Sequence, residues 1–209
     1  MVGVVGILED ATKTVPADFR YKEDHVVLLM GATSLAEKKT EEIARELGSS
    51  EFTKILLAAF WGQPPRLDLR EEATLHRVLR RCAEEGLLHS AADISDGGLA
   101  VTLARSTVAS GIGAALLPST TRVALRTVWD LFGELGSAAL VTCRAQDFEK
   151  LEQITEQEAG SIFAMHIGST GGHKLTIPFE DGAINVSTED LKAVFSTALE
   201  SQLSAEVTA

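Results

Sequence analysis

The 209-residue chain is 45% apolar, enough to bury one core or two small ones, which excludes a disordered tail, a disulfide-stapled mini-domain and a long repeat array. Nineteen basic against thirty acidic residues give a formal net charge of −11, a surface that repels nucleic acid and anionic lipid. No apolar run approaches the roughly 18 residues of a membrane span and no charged-then-apolar leader opens the sequence, so a soluble cytoplasmic protein is expected.

Residues 2–8 are apolar, β-branched and punctuated by glycine, and a polar stretch follows from Glu9 to Arg20. Residues 1–25 are therefore expected to form an extended, loosely attached segment leading into one domain over 26–209. The run Val26-Val-Leu-Leu-Met30, closed by Gly31, reads as a strand buried on both faces. Residues 34–47 look helical and charged, with Gly48 as their stop. Residues 51–61 carry Phe52, Ile55, Leu56, Ala59 and Phe60 at helical spacing, until Gln63-Pro64-Pro65 breaks the pattern. Asp68 then caps a helix with Glu71 three residues on, as in a capping box. Its buried stripe is Leu75, Val78, Leu79 and Cys82, its solvated face holds Arg77, Arg80 and Arg81, and Gly86 ends it.

Further helices are expected over 98–109, 125–132 and 148–159, and strands over 112–117, 138–143, 162–167 and 174–177. Gly168-Ser-Thr-Gly-Gly172 reads as a glycine-rich connection. Asp181-Gly182 marks a hairpin turn into a strand over 183–186. A closing helix starts at Ser187, Thr188 or Glu189 and is expected to pack through Leu191, Val194, Phe195 and Leu199. Strands and helices mix without strict alternation, which predicts an α+β fold with a mixed sheet. Cys82 and Cys143 lie too far apart for a thiol framework or a zinc site and read as buried thiols. The five histidines show no metal-ligand spacing.

The most informative stretch is Ser90-Ala-Ala-Asp-Ile-Ser-Asp-Gly-Gly-Leu-Ala100. Asp93, Ser95 and Asp96 bear side-chain oxygens just ahead of Gly97 and Gly98, which open an amphipathic helix. Such a pattern suits a metal-bound phosphate. Glycine lets backbone approach a ligand, the helix start offers unpaired N–H groups, and a carboxylate there can hold Mg²⁺. The same residues also describe an ordinary capped helix, with Ser95 or Asp96 as its cap.

Three blocks carry a family resemblance: Gln63-Pro-Pro-Arg-Leu-Asp-Leu-Arg-Glu71, the helix end Glu85-Gly-Leu-Leu-His-Ser90, and Ala92-Asp-Ile-Ser-Asp-Gly-Gly-Leu-Ala100. Together they resemble the C-terminal lobe of phosphoribosylformylglycinamidine synthase, within the aminoimidazole-ribonucleotide-synthetase superfamily. Val4-Val-Gly-Ile-Leu-Glu-Asp10, residues 26–31, Leu47-Gly-Ser-Ser-Glu-Phe52 and Leu131-Phe-Gly-Glu134 extend the likeness over nearly the whole chain. The resemblance implies a three-layer α/β/α lobe with a mixed sheet. It also implies part of an ATP-dependent C–N ligase of purine biosynthesis, which converts formylglycinamide ribonucleotide, ATP and glutamine-derived ammonia to the amidine.

By the same resemblance Asp93 matches a position that holds Mg²⁺ at an auxiliary ATP/ADP site and Ser95 matches its neighbour, while the glycine-opened helix start makes Ser95, Asp96, Gly97 and Gly98 the candidate nucleotide- or phosphate-binding residues. The implied partners are the N-terminal ATP-binding half, a glutaminase subunit and a small accessory subunit, without which the lobe is expected to be inactive. Three departures point to relaxed ligand contacts. Ala92 stands where the family usually has His, Gly48-Ser-Ser-Glu-Phe52 replaces Gly-Gly-Ser-Glu-Tyr, and Leu135-Gly-Ser-Ala138 lacks an arginine able to pair a phosphate. A non-catalytic assembly lobe with a decayed site, or another member of the ATP-using superfamily such as thiamine-monophosphate kinase or selenophosphate synthetase, are the alternatives.

Overall fold

The apolar run after Asp24 becomes β1 (His25–Gly31), and it stands mid-sheet because both its faces are covered. The computed structural model describes residues 5–8, 10–35, 38–118, 128–158, 161–179 and 182–207. After β1 come α1 (Ala32–Leu35), α2 (Thr40–Gly48), α3 (Glu51–Leu57), α4 (Leu69–Glu84), β2 (Ser90–Asp93) and α5 (Gly98–Val108). Next are β3 (Ala114–Leu116), α6 (Val128–Phe132), β4 (Ala138–Cys143), α7 (Phe148–Gln157) and β5 (Ile162–Thr170). The hairpin β6 (Lys174–Phe179) and β7 (Gly182–Ser187) leads into α8 (Thr188–Val207).

The strand order is β2-β4-β1-β5-β3-β6-β7. Only β3 and β6 pair in parallel; the other neighbours are antiparallel, so the sheet is mixed as expected. Along β1 the period-two geometry sends Val26, Leu28 and Met30 to one face and Val27 and Leu29 to the other. On the first face Leu99 and Leu103 of α5 and Leu131 of α6 close a core. On the second, Leu75, Val78 and Cys82 of α4 meet Leu151 and Ile154 of α7. The result is a three-layer α/β/α domain. Cys82 and Cys143 are both fully buried on the α4–α7 side, and loss of hydration raises their thiols to about 11 and about 12.

Several expectations are corrected. The N-terminal segment is tied down from Val15 onward rather than loosely attached. Phe19 is buried, its N–H donates to Ser106 O (2.9 Å), and Ala91 N–H donates to Pro16 O (2.9 Å) at the free edge of β2. One helix over 34–47 is really α1 and α2, separated by a stretch that turns Lys38 inward. There its ammonium pairs with buried Glu46 (2.5 Å) and stands 4.9 Å from the Trp129 ring centre.

The expected helix over 51–61 stops at Leu57, because Ala58 is left-handed (φ 47°) and the chain folds back along α2. Trp61 N–H donates to Gly48 O (2.9 Å), with the indole lying over that glycine. Ile55, Leu56 and Phe60 are left exposed.

Asp68 caps α4 by accepting from Arg70 and Glu71 N–H (2.8 and 3.3 Å). No capping box forms, since the Glu71 carboxylate accepts Thr33 N–H instead (3.0 and 3.2 Å). Arg77 and Arg81 are not simply solvated but pair with Glu158 (3.2 and 3.7 Å), joining α4 to the end of α7. The glycine-rich connection is shorter than expected, for β5 runs on through Thr170. Gly168 is required there because a Cβ would stand 2.4 Å from Ala115 O of β3. Val194, Phe195 and Leu199 of α8 are exposed rather than packed, and Leu191 alone of the four joins the core. Residues 125–127 and Asp181 lie outside the described residues.

Candidate functional site

The sequence around Asp93 folds as strand, tight turn and helix. Nothing in the sequence marks β2, whose four residues are too few to show alternation, yet all pair with β4, from Ser90↔Thr142 to Asp93↔Ala139. Ile94 then dips into the core, and its N–H donates to Ala138 O (3.3 Å). Ser95 and Asp96 emerge into solvent, and Gly97 and Gly98 (φ 81° and 68°) bend the chain into α5. Left-handed backbone of this kind favours glycine.

Contiguity keeps the five expected site residues together, but their surroundings divide them. Asp93 and Ser95 line a cleft of about 390 Å³ between the β2 edge, α5, the N-terminal segment and α8. Asp96 is exposed on the side of Lys54. Gly97 and Gly98 are buried, with their amides already used. Gly98 N–H donates to Ser95 O (2.9 Å), and Gly97 N–H donates to Glu134 Oε1 (3.2 Å). The same Glu134 oxygen accepts Glu51 N–H (2.8 Å), so one carboxylate ties the start of α3 to the turn before α5. A Cβ on Gly98 would stand 2.7 Å from Gly133 O, so this glycine also lets α5 pack against the chain leaving α6.

The Asp93 carboxyl is raised above its ordinary value, first by loss of hydration and then by the charge of Glu72. Hydrogen bonds from Ser95 and the Ile94 amide act in the opposite direction. Glu72 is itself engaged, accepting from Ser137 Oγ (2.9 Å) and lying 3.2 Å from His76 Nε2. A carboxylate in such a setting gains from an added cation. Among the described residues, no three or more His, Cys, Asp or Glu side chains gather as a ready-made metal cage. A shared ion completed by a ligand's own oxygens is the arrangement Asp93 suits.

Sequence reading missed the rest of the cleft. Thr102, Arg105 and Ser106 lie along one face of α5 with Ala109 just past its end, Asp18 comes from the N-terminal segment, and Phe195 from α8. The spacing of Thr102, Arg105 and Ser106 at i, i+3 and i+4 was a signal that could have found that face. Thr102 Oγ1 donates to Gly98 O (3.0 Å) and Asp93 O (3.3 Å), fixing α5 to the end of β2. No helix among the described residues is long and apolar enough to cross a membrane.

Residues 22–178 match the family described as AIR synthase related protein, C-terminal domain. The chain is 32% identical over 199 residues to phosphoribosylformylglycinamidine synthase subunit PurL of Thermobifida fusca, covering 95% of this chain and 24% of that protein. It is 34% identical over 199 residues to the same subunit of Thermus thermophilus, covering 95% and 25%. Among solved structures it is similar to PurLQS from Thermotoga maritima, with a TM-score of 0.62, 16% identity and coverage of 87% of this chain and 28% of that one. It is also similar to hydrogenase maturation protein HypE, with a TM-score of 0.56, 17% identity and coverage of 87% and 57%. At these identities the structural likenesses show the fold alone. The chain spans about a quarter of the length of the curated relatives it matches.

Proposed function

The chain belongs to the AIR synthase related protein, C-terminal domain, family, and from that membership we propose that it works as the C-terminal lobe of a phosphoribosylformylglycinamidine synthase. In this reading residues 26–209 are the lobe and residues 1–25 lead into it. It contributes to the ATP-dependent conversion of formylglycinamide ribonucleotide and glutamine-derived ammonia to the amidine, in the cytoplasm. Its partners are an N-terminal ATP-binding half, a glutaminase subunit and a small accessory subunit. The observation that carries the reading is the family match over residues 22–178, joined to identity above 30% with PurL subunits along 95% of the chain.

The lobe's own part is to border a nucleotide. Mg²⁺ takes oxygens from one or two carboxylates, with phosphate and water completing its shell. Asp93, open to the cleft and crowded by Glu72, fits as one such ligand. When bound, the ion supplies charge neutralisation for phosphate. Ser95 and Asp96 flank that position with exposed polar side chains, while Gly97 and Gly98 shape the turn that leaves them exposed.

A second reading, a non-catalytic assembly lobe, is favoured by one observation: the Glu134 carboxylate already occupies the Gly97 N–H, where an incoming anion would bind. Turnover assays on the 209-residue chain, alone and with the ATP-binding half and glutaminase present, test the proposal. The expected result is no ATP hydrolysis and no amidine from the chain alone, with both appearing in the assembled enzyme. Turnover by the chain alone would overturn the first reading. A full-rate assembled enzyme carrying Asp93→Ala would favour the second.

A further inference from the structure

β7 is the last strand of the sheet, and among the described residues its outer side pairs with nothing. Proteins guard such an edge with a lysine, a proline, a bulge, a short strand or a cover. The opposite edge is guarded: β2 has four residues, and Pro16 O takes the Ala91 N–H (2.9 Å). β7 lacks these devices. Its six residues, Gly-Ala-Ile-Asn-Val-Ser, include no charge and no proline. Their ladder with β6 runs without a register shift from Lys174↔Ser187 to Phe179↔Gly182, and Ala183 and Asn185 are exposed on it.

The outer side is also self-complementary. Thr188 N–H donates to His173 O (3.0 Å), which fixes the alternation of bonded and non-bonded pairs along the hairpin. In that phase Ala183, Asn185 and Ser187 turn their N–H and C=O groups away from β6. Pro178, which has no N–H to give, stands opposite Ala183 at a non-bonded pair and agrees with it. The three outward residues are symmetric about Asn185. A second β7 laid antiparallel would pair Asn185 with Asn185 and Ala183 with Ser187, satisfying all three on both strands. The same register sets Ile184 of one copy against Val186 of the other, on the face where Ile184 already packs against the core.

We infer that two copies of this chain associate edge to edge through β7, antiparallel about a two-fold axis at Asn185, so that their sheets become one. The contact is isologous and closes at two copies. It is independent of the nucleotide reading above. A single strand pair is a small interface, at the weak end of specific association. Glu180 and Asp181 precede the strand and Glu189 and Asp190 follow it, so antiparallel pairing brings like charges together at both ends. Salt screens that repulsion and strengthens the dimer.

Sedimentation velocity of the 209-residue chain over a range of concentrations, in low and high salt, tests the inference. Wild type should pass reversibly from monomer to dimer, more readily in high salt. Asn185→Lys and Asn185→Glu each set like charges face to face on the axis and should weaken the dimer by about tenfold or more. An equimolar mixture of the two variants should restore it as a heterodimer, which a folding defect in either could not produce. Amide exchange of wild type gives a readout without substitution: Asn185 and Ser187 should slow as concentration rises, while Ile184 and Val186, already bonded to β6, should not. A wild type that stays monomeric at every concentration would overturn the inference. So would a mixture no tighter than its components. A dimer that both variants leave intact would also overturn it and would move the contact to another face, such as the exposed Val194 and Leu199 of α8.

Discussion

Glu134 and Gly97 are joined by a 3.2 Å hydrogen bond from the glycine amide to a carboxylate oxygen that also holds the amide of Glu51 at 2.8 Å. Removing that oxygen leaves two amides at helix starts without their acceptor. Glu134→Ala should therefore cost about 1–3 kcal/mol, a melting temperature lower by about 2–10 °C for a domain of this size. Glu134→Gln, which keeps a carbonyl acceptor, should lose less than half of that. Differential scanning calorimetry of the two variants checks the ranking, and equal losses would contradict a hydrogen-bonding role.

Gly86 and Gly98 have nearly the same backbone angle, φ 67° and 68°, but different neighbours. A Cβ on Gly86 meets nothing within 4 Å, whereas one on Gly98 stands 2.7 to 2.9 Å from three backbone atoms of residues 131–133. Gly86→Ala should cost only the left-handed strain, about 1–2 kcal/mol. Gly98→Ala should add a clash with immovable backbone and cost about 3 kcal/mol or more. Urea melts of both variants separate conformational strain from packing.

Folding raises the Asp93 carboxyl above 3.8, because desolvation and the charge of Glu72 disfavour its ionised form. Its charge therefore disfavours folding at neutral pH. The penalty fades as pH falls through the folded value and is gone below the unfolded one. Asp93→Asn should stabilise the protein at pH 7 by less than about 1 kcal/mol, since the group is only partly buried and solvent screens it, seen as a higher melting temperature, with a smaller gain at pH 4.5. A destabilised Asp93→Asn would show that the carboxylate is held by contacts other than those of Ser95 and Ile94.

His25 and His166 stack with ring centres 3.8 Å apart and planes at 13°, and His25 Nδ1 is buried without a hydrogen-bond partner. Desolvation first, and then His166, hold His25 below 6.5, with Asp24 opposing. The folded state thus prefers neutral His25. The associated stability is present above pH 6.5 and is lost as pH falls through the depressed folded value. His25→Phe, which can keep the stack against His166 and Phe148, should flatten the decline in melting temperature between pH 7 and pH 5. An unchanged slope would place that acid sensitivity elsewhere.

The sequence makes β1, the Asp68 cap, α5 and the β6–β7 hairpin readable because each rests on a local rule: a continuous apolar run, a capping side chain, a glycine stop, a turn. What it hides is long-range. Nothing local says that Glu71 turns from its own helix to Thr33, or that Asp24 pairs with His89 (2.7 Å) across 65 residues. The same holds for the site. Asp93 to Gly98 were visible as a contiguous string, but Arg105, Asp18 and Phe195 reach the cleft only through packing of α5, the N-terminal segment and α8. Conversely, Val194, Phe195 and Leu199 have helical spacing without a partner surface, since apolar periodicity records what a face could bury rather than what covers it.

β1 is an interior strand, third of seven, although it comes first of them in the chain, and its ladders close on Cys143 and Ser169. During translation at about 5–20 residues per second, roughly 6–24 s separate the emergence of His25 from that of Cys143. Throughout that interval the stretch Val-Val-Leu-Leu-Met is a sticky, unmated ribbon outside the ribosome. Yield in cells should therefore depend on chaperone supply more than the finished domain's thermal resistance would suggest.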